Sequence, residues 1–302
     1  MRRRAVLSKR VGNLLAVLTG FVAFGVSVVL LWNRLVSWTD LAILSVMYLP
    51  AAFGVTVGYH RLFAHRAFET HRPIRLLFAV LGSMAVQGPL LEWVSDHRCH
   101  HAHADLEGDP HSPHVGHGGG VTGALKGLWH AHVGWVFRTQ GQSDPARYAP
   151  DLLQDRGLVA IDRYAGVFVG LTLAIPFGLG YVLTGTTRGA WTALLWGGLV
   201  RTFFIHHAAF SVNSICHFFG VRRFDVPDCS RNVSWLALPT LGESWHNNHH
   251  AFQRSAAHGL RRWEMDPSAW LIGLLERLGL AWNVVRVPMA QQEPRLLATP
   301  RA

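Results

Sequence analysis

Charge is scarce in this chain. Of 302 residues only 15% are Asp, Glu, Lys or Arg, against roughly a quarter in soluble domains, while 50% are hydrophobic and the mean hydropathy is +0.19. That shortfall excludes a disordered or fibrous chain and argues against an ordinary soluble domain, so lipid is expected to solvate part of the surface. Lysine is nearly missing. Lys9 and Lys126 stand alone, the net charge of +10 is almost all arginine, and it carries little weight as a sign of an anionic partner; no nucleic acid is expected. Cysteine is sparse too: Cys99, Cys216 and Cys229 form no C-x-x-C pair and are odd in number, so neither a disulfide framework nor a thiolate zinc site is suggested. No histidine precedes a glutamate, so the H-E-x-x-H of zinc peptidases is absent, and no glutamate-plus-E-x-x-H pairing of soluble di-iron bundles is evident.

What is present is apolar length and histidine. Residues 11–32 have no charge in their interior and suffice, at ~1.5 Å per residue, to cross a ~30 Å hydrocarbon core. Further spans are expected at 41–59, at 164–183 (interrupted by Pro176) and at 190–210, making two helical hairpins. Arg2, Arg3, Arg4, Lys9 and Arg10 precede the first span, and only Arg34 and Arg188 fall in the outer loops, which predicts cytoplasmic termini. The stretch 76–91 is short and carries Gly82, Gly88 and Pro89, so a re-entrant, interfacial or buried helix is expected there. The tail 287–302 reads as loosely ordered. With no internal repeat or linker, residues 1–302 form a single domain, with a cap from 60–163 and 211–286.

Histidine numbers 19 and is clustered. His60 and His65 end the second span; His97, His100 and His101 follow the short apolar stretch; His217 continues the fourth span; His246, His249 and His250 come soon after. The hairpins bring all four groups to one side of the membrane. Both triplets are spaced i, i+3, i+4, which puts their imidazoles on one helical face, and Asn213 shares a face with His217. Nine imidazoles are enough for two metals with four or five ligands each, although imidazole alone does not name the element.

The strings HRLFAH (60–65), HRCHH (97–101), NSICH (213–217) and GESWHNNHH (242–250), with DLEGDPHSP (105–113) and HVGWVF (132–137), resemble the histidine boxes of integral-membrane acyl-CoA desaturases, the stearoyl-CoA 9-desaturase family. The resemblance covers roughly His60 to His250. It implies an all-α protein with four membrane spans and a cytosolic helical cap, whose His60, His65, His97, His100, His101, His217, His246, His249 and His250 ligate two irons, with Asn213 holding a metal-bound water. The reaction it implies is O2-dependent insertion of a cis double bond, by default at carbon 9, into a saturated acyl chain. Such C–H bonds offer no acidic proton, so side-chain acid–base chemistry cannot break them and a metal centre that activates O2 is needed.

Carboxylates should orient the imidazoles, and Asp96, Asp105, Asp109 and Glu243 are the candidates by sequence proximity. Trp93 matches a family tunnel residue. Arg98 and Arg138 are candidates to meet the phosphates of an acyl-CoA headgroup, although Ser95 stands where animal members carry an arginine that helps hold CoA, which leaves an acyl-lipid or carrier-protein ester open. The remaining histidines, His71, His103, His111, His114, His117, His130, His132, His206, His207 and His258, read mostly as solvent-facing or structural, Cys99 as packing, and Arg201 as facing the interior. Gly118, Gly120 and Gly123 spell G-x-G-x-x-G without a βαβ unit, a chance match. No haem or flavin motif is present, so a ferredoxin or similar donor with its reductase is implied. The rival readings are a hydroxylase with the same centre and a non-catalytic membrane metal- or haem-binding protein.

Overall fold

The computed structural model describes residues 2–32 and 36–301, with the side chains of 11–31 and 36–298. Arg34, and the side chains of Arg2, Arg3, Arg4, Lys9 and Arg10, lie outside that description. In chain order, leaving aside single turns, the helices are α1 (Arg2–Trp32), α2 (Trp38–Ala64), α3 (Arg72–Ser83), α4 (Leu90–His103), α5 (120–138), α6 (Arg156–Arg163), α7 (Ala165–Thr184), α8 (187–218), α9 (His246–Ala251) and α10 (Pro267–Arg277).

Three of these, Val11–Leu31 of α1, α2 and α7, are long and apolar enough to cross a membrane. Only 11% of the α1 stretch and 17% of α7 is buried inside the chain, so residues such as Leu15, Val22 and Val182 present bare apolar faces too extensive for water. α2 is half buried. Its start is fixed by a reciprocal cap: Ser37 Oγ accepts from Asp40 N–H, and Asp40 Oδ2 accepts from Ser37 N–H. The expected fourth span lies inside α8, yet α8 is not among the three apolar helices. The reason is chemical: it carries Arg201, His206 and His207, and Arg201 is fully buried, with Nη2 donating to the Met84 carbonyl at 3.1 Å. This is the interior placement expected for that arginine.

The stretch 76–91 divides between α3 and the start of α4. At 12 residues, α3 is ~18 Å long and does not span a membrane. It lies against α2 at a contact only glycine permits: a Cβ on Gly54 would lie 2.2 Å from Gly82 N, and one on Gly82 would lie 2.3 Å from the Tyr59 ring. Below this contact Val57, Tyr59, Phe63, Phe68, Leu90, Val94 and Leu158 form the main apolar core, which fixes α2, α3, α4 and α6 relative to one another.

The all-α expectation needs two corrections at the edges. β1 (Glu69–Thr70) pairs antiparallel with β3 (Ala281–Trp282), and β2 (Arg222–Phe224) with β4 (Leu296–Arg301). The second pair overturns the loose tail. Asp225 N–H donates to the Arg295 carbonyl at 2.9 Å, and the Arg295 guanidinium bonds the Ala251 carbonyl and lies 5.1 Å over the Phe252 ring. An unpaired strand edge is a demand that a short polar tail can meet, and periodicity does not reveal it.

Candidate metal centre

His60 and His65 are five residues apart, a spacing that turns about 140° past a full turn in an α-helix and would aim the rings differently. The chain solves this by winding residues Gly54–Ala64 of α2 as a π-helix, closed by His65 N–H to the His60 carbonyl at 3.0 Å. The two ring centroids then lie 4.8 Å apart. α4 brings His97, His100 and His101 under them, α8 carries His217 in its last turn, and α9 supplies His246, His249 and His250 from the far side.

The nine rings sort into two groups, and each triplet is divided between them. His60, His65, His97, His101 and His249 gather in one group; His100, His217, His246 and His250 gather in the other. In the first, Nε2 atoms face one another at 2.7 Å (His65 and His97), 3.1 Å (His60 and His249) and 3.0 Å (His101 and His249). In the second, His217 and His246 face at 3.0 Å, while His100 Nε2 and His250 Nε2 are buried without a hydrogen-bond partner.

This donor set fits metal. Two imidazoles at a right angle on one ion, each at ~2.1 Å, would have nitrogens ~3 Å apart, the spacing found here. Burial first, and then the neighbouring rings, push His65, His97, His101, His246 and His249 well below the ordinary imidazole value, so each is a neutral donor. Burial works the same way on His250, held at about 4. His100 goes upward: burial opposes its protonation, but Asp109, by charge and hydrogen bond, outweighs it.

Four carboxylates stand behind the rings and hold Nδ1, which leaves Nε2 aimed inward. Glu243 pairs with His60, Asp109 with His100 at 2.9 Å, Asp105 with His217 at 2.8 Å and Asp228 with His250 at 2.8 Å. Burial opposes the charge on all four, but the rings and N–H groups bonded to them outweigh it, so each is held well below the usual carboxylate range. Asp105, Asp109 and Glu243 thus lie where sequence placed them. Asp228 was missed; the signal that could have found it is the need of His250 for an Nδ1 acceptor. His258 was also missed. It is 1% exposed, its ring is 4.3 Å from that of His249, and its Nδ1 is 3.4 Å from Glu243.

Two other expectations, for Asp96 and Arg98, are corrected. Asp96 is turned toward the 141–143 loop, where its carboxylate accepts from the backbone N–H groups of Gly141 and Ser143. Arg98 is not free for a phosphate: it grips Asp151 at 2.6 and 3.1 Å and donates to the carbonyls of Phe63, Ala64 and Tyr148. Arg138 is exposed on α5. Trp93 is half-buried beside the histidines. Its ring lies 5.1 Å from His97, nearly parallel, and its indole N–H donates to Gln87 Oε1 at 3.2 Å.

Two cavities, of about 90 and 380 Å³, meet at the rings. Gln87, Trp93, His97, Ala209 and Asn213 line both. The smaller continues between α2 and α8 past Tyr48, Ala52 and Ile205, and the larger runs out between α1 and α4 past Asn13 and Val17. A narrow apolar channel passing histidine nitrogens suits an extended hydrocarbon chain.

Comparison with known proteins agrees with this chemistry. A family model described as fatty acid desaturase matches residues 36–271. The chain is 46% identical over 266 residues, 88% of its length and 82% of the relative's, to a hex-5-enoyl-[acyl-carrier protein] acetylenase of Moorena producens. It is 36% identical to an sn-1 stearoyl-lipid 9-desaturase of Anabaena variabilis, over 82% of this chain and 85% of that one. It is 37% identical to an sn-2 palmitoyl-lipid 9-desaturase of Nostoc, over 88% and 90%.

Proposed function

This chain belongs to the fatty acid desaturase family, and from that premise we propose that it is an O2-dependent, di-iron acyl desaturase that inserts a cis double bond, at carbon 9 by family default. The observation that carries this reading is the five-plus-four histidine arrangement opening onto an apolar cavity. His60, His65, His97, His101 and His249 would hold one iron, and His100, His217, His246 and His250 the other, with Asn213 beside the second through water. Bound iron would supply O2 activation, which unactivated methylenes require. The protein's own residues do the rest. Glu243, Asp105, Asp109 and Asp228 keep each Nδ1 protonated and each ring oriented. Trp93, Ala209 and Ile205 exclude water and fix which methylenes lie beside His97.

The ester carrier is the open chemical variable. An acyl-CoA headgroup was expected to use Arg98, which is bound to Asp151 instead, while relatives are named for acyl-lipid, acyl-carrier-protein and acyl-CoA substrates. The reading further includes a multi-pass protein of the cytoplasmic membrane, with α8 as a fourth span, the site and both termini on the cytoplasmic side, and electrons from a ferredoxin-type donor with its reductase.

The test is the fatty-acid profile, with bond position, of a host expressing the chain or its His100→Ala variant alongside a donor. A new cis-monoene absent with the variant supports the proposal. A triple bond would favour the second reading suggested by the 46%-identical acetylenase, and a hydroxy acid would favour the hydroxylase. No product and no bound iron would sink the di-iron centre.

A further inference from the structure

The five-histidine group has two openings. His60 and His97 line the apolar cavities. On the other side His65 and His101 floor a separate cleft of about 540 Å³, walled by Ala64, Arg66, Arg98, Gln253 and Arg254, which shares no lining residue with either cavity. Arg66 and Arg254 are exposed at its rim. Three arginines line it against one nearby carboxylate, Asp151, which pairs with Arg66 at 2.9 Å and Arg98 at 2.6 Å; Arg254 has no ion pair among the described residues. Arg66 also keeps a left-handed backbone, φ 52°, where a non-glycine residue is strained.

An anion on a substrate headgroup does not account for this cleft, because a chain lying in the apolar cavities would have to pass through the histidine group to reach it. What the cleft does offer is a short route for electrons. A carrier seated on the rim is separated from the centre by one imidazole, and the rim's charge selects a partner with an acidic face.

We propose that the basic cleft over His65 and His101 is the docking point of an acidic one-electron carrier protein, which passes electrons to the centre through these two rings. This rests on the desaturase reading. For each double bond the chain loses two hydrogens, O2 takes these with two protons from solvent and two electrons, and two waters leave. Two reduced carriers are therefore oxidised by one electron each, in successive encounters.

The experiment measures binding of a plant-type [2Fe–2S] ferredoxin with an acidic surface to the full-length chain in nanodiscs. Wild type is compared with Arg254→Glu, with Arg66→Glu/Arg254→Glu and with Arg277→Glu, which reverses an exposed charge on α10 away from the cleft. At low salt, wild type and Arg277→Glu should bind alike, and Arg254→Glu and the double variant progressively more weakly, the latter by at least tenfold. Raising the salt should weaken wild type toward the double variant. Ferredoxin-to-protein electron transfer should fall in the same order, while turnover driven by a small chemical reductant is unchanged. Equal binding by the double variant and Arg277→Glu, or no wild-type binding at low salt, overturns the docking point. Because the double variant removes the Arg66–Asp151 pair, Arg254→Glu alone serves if that variant fails to fold. Absence of product with the chemical reductant counts against the desaturase reading, and the binding result still decides the docking point.

Discussion

The Arg61 guanidinium donates to Glu243 Oε1 from Nε at 3.2 Å and from Nη2 at 3.0 Å, and no part of Arg61 is exposed. Glu243 holds His60 with its other oxygen, so a buried cation sits one carboxylate away from a ring of the five-histidine group. Asp266 closes the set, 2.9 Å from Arg61 Nη2. The centre's electrostatics therefore extend beyond its ligands into the loop that precedes α10.

Glu243→Gln leaves Arg61 paired with Asp266 but takes the charge from behind His60. Metal affinity of the five-histidine site should fall 10- to 100-fold, the usual range for losing such a partner, read as metal retained after dialysis against a graded chelator. Arg61→Met strands two buried carboxylates and should cost about 3–5 kcal/mol, read as a collapse in folded yield or unfolding midpoint. Equal metal retention in Glu243→Gln and wild type would remove Glu243 from the site.

Because α4 gives His97 and His101 to one group and His100 to the other, single substitutions in one box should act on different ions. His97→Ala and His100→Ala should each reduce bound metal from two to one per chain, whereas the double variant should hold none. Metal analysis of purified protein decides this. Loss of both ions from each single variant would mean that the groups behave as one cluster.

The gathering of the nine histidines was legible in the sequence, since i, i+3, i+4 spacing is enough to put three rings on one turn. Which of the two groups each ring joins was not legible, because that depends on how α4 and α9 cross. The five-residue step from His60 to His65 required a π-helix, whose winding depends on tertiary contact rather than on local pattern. Asp228 and His258 come from loops with no periodicity, and only their place behind His250 and beside Glu243 gives them meaning. By length and apolarity only three spans are recognised among the described residues, for a related reason. Arg201 and the two histidines after it serve the interior of α8, and they lower the apolarity by which a span is recognised.

Acid should destabilise the metal-free chain. Eight buried or half-buried rings, His65, His97, His101, His111, His246, His249, His250 and His258, are held below the ordinary value of 6.5, chiefly by burial, and only His100 and His114 are raised. Below pH 6.5 the unfolded chain therefore binds more protons than the folded one, so stability falls as pH falls, by up to about 1.4 kcal/mol per pH unit for each net ring. Its contribution is fully present above pH 6.5. The depressed carboxylates act in the same sense, but only below about pH 4.5, where their unfolded forms begin to protonate. Unfolding midpoints of chelator-treated protein should drop steeply between pH 6.5 and 5, and above 7 they should decline gently as the raised His100 and His114 lose their protons. A flat profile across that window would mean the rings are not buried neutral.

The C-terminal strand should matter to the metals although it touches none of their ligands. β4 pairs with β2, and the Arg223 and Phe224 N–H groups of β2 both donate to Asn247 Oδ1 at 2.8 Å. Asn247 lies in α9 between His246 and His249, so α9, which supplies rings to both groups, is held from behind by a two-strand ribbon. Arg295 adds its bond to the Ala251 carbonyl at the end of the same helix. Removing residues 294–302 should let α9 shift, and both ions should then leave faster to a chelator. Asn247→Ala tests the same link without truncation, and by leaving two strand N–H groups without their acceptor it should cost about 1–3 kcal/mol. If chelator release quickens in Asn247→Ala but not in the truncated chain, β2 holds α9 without help from β4. If it quickens in neither, the ribbon is no part of the site's support.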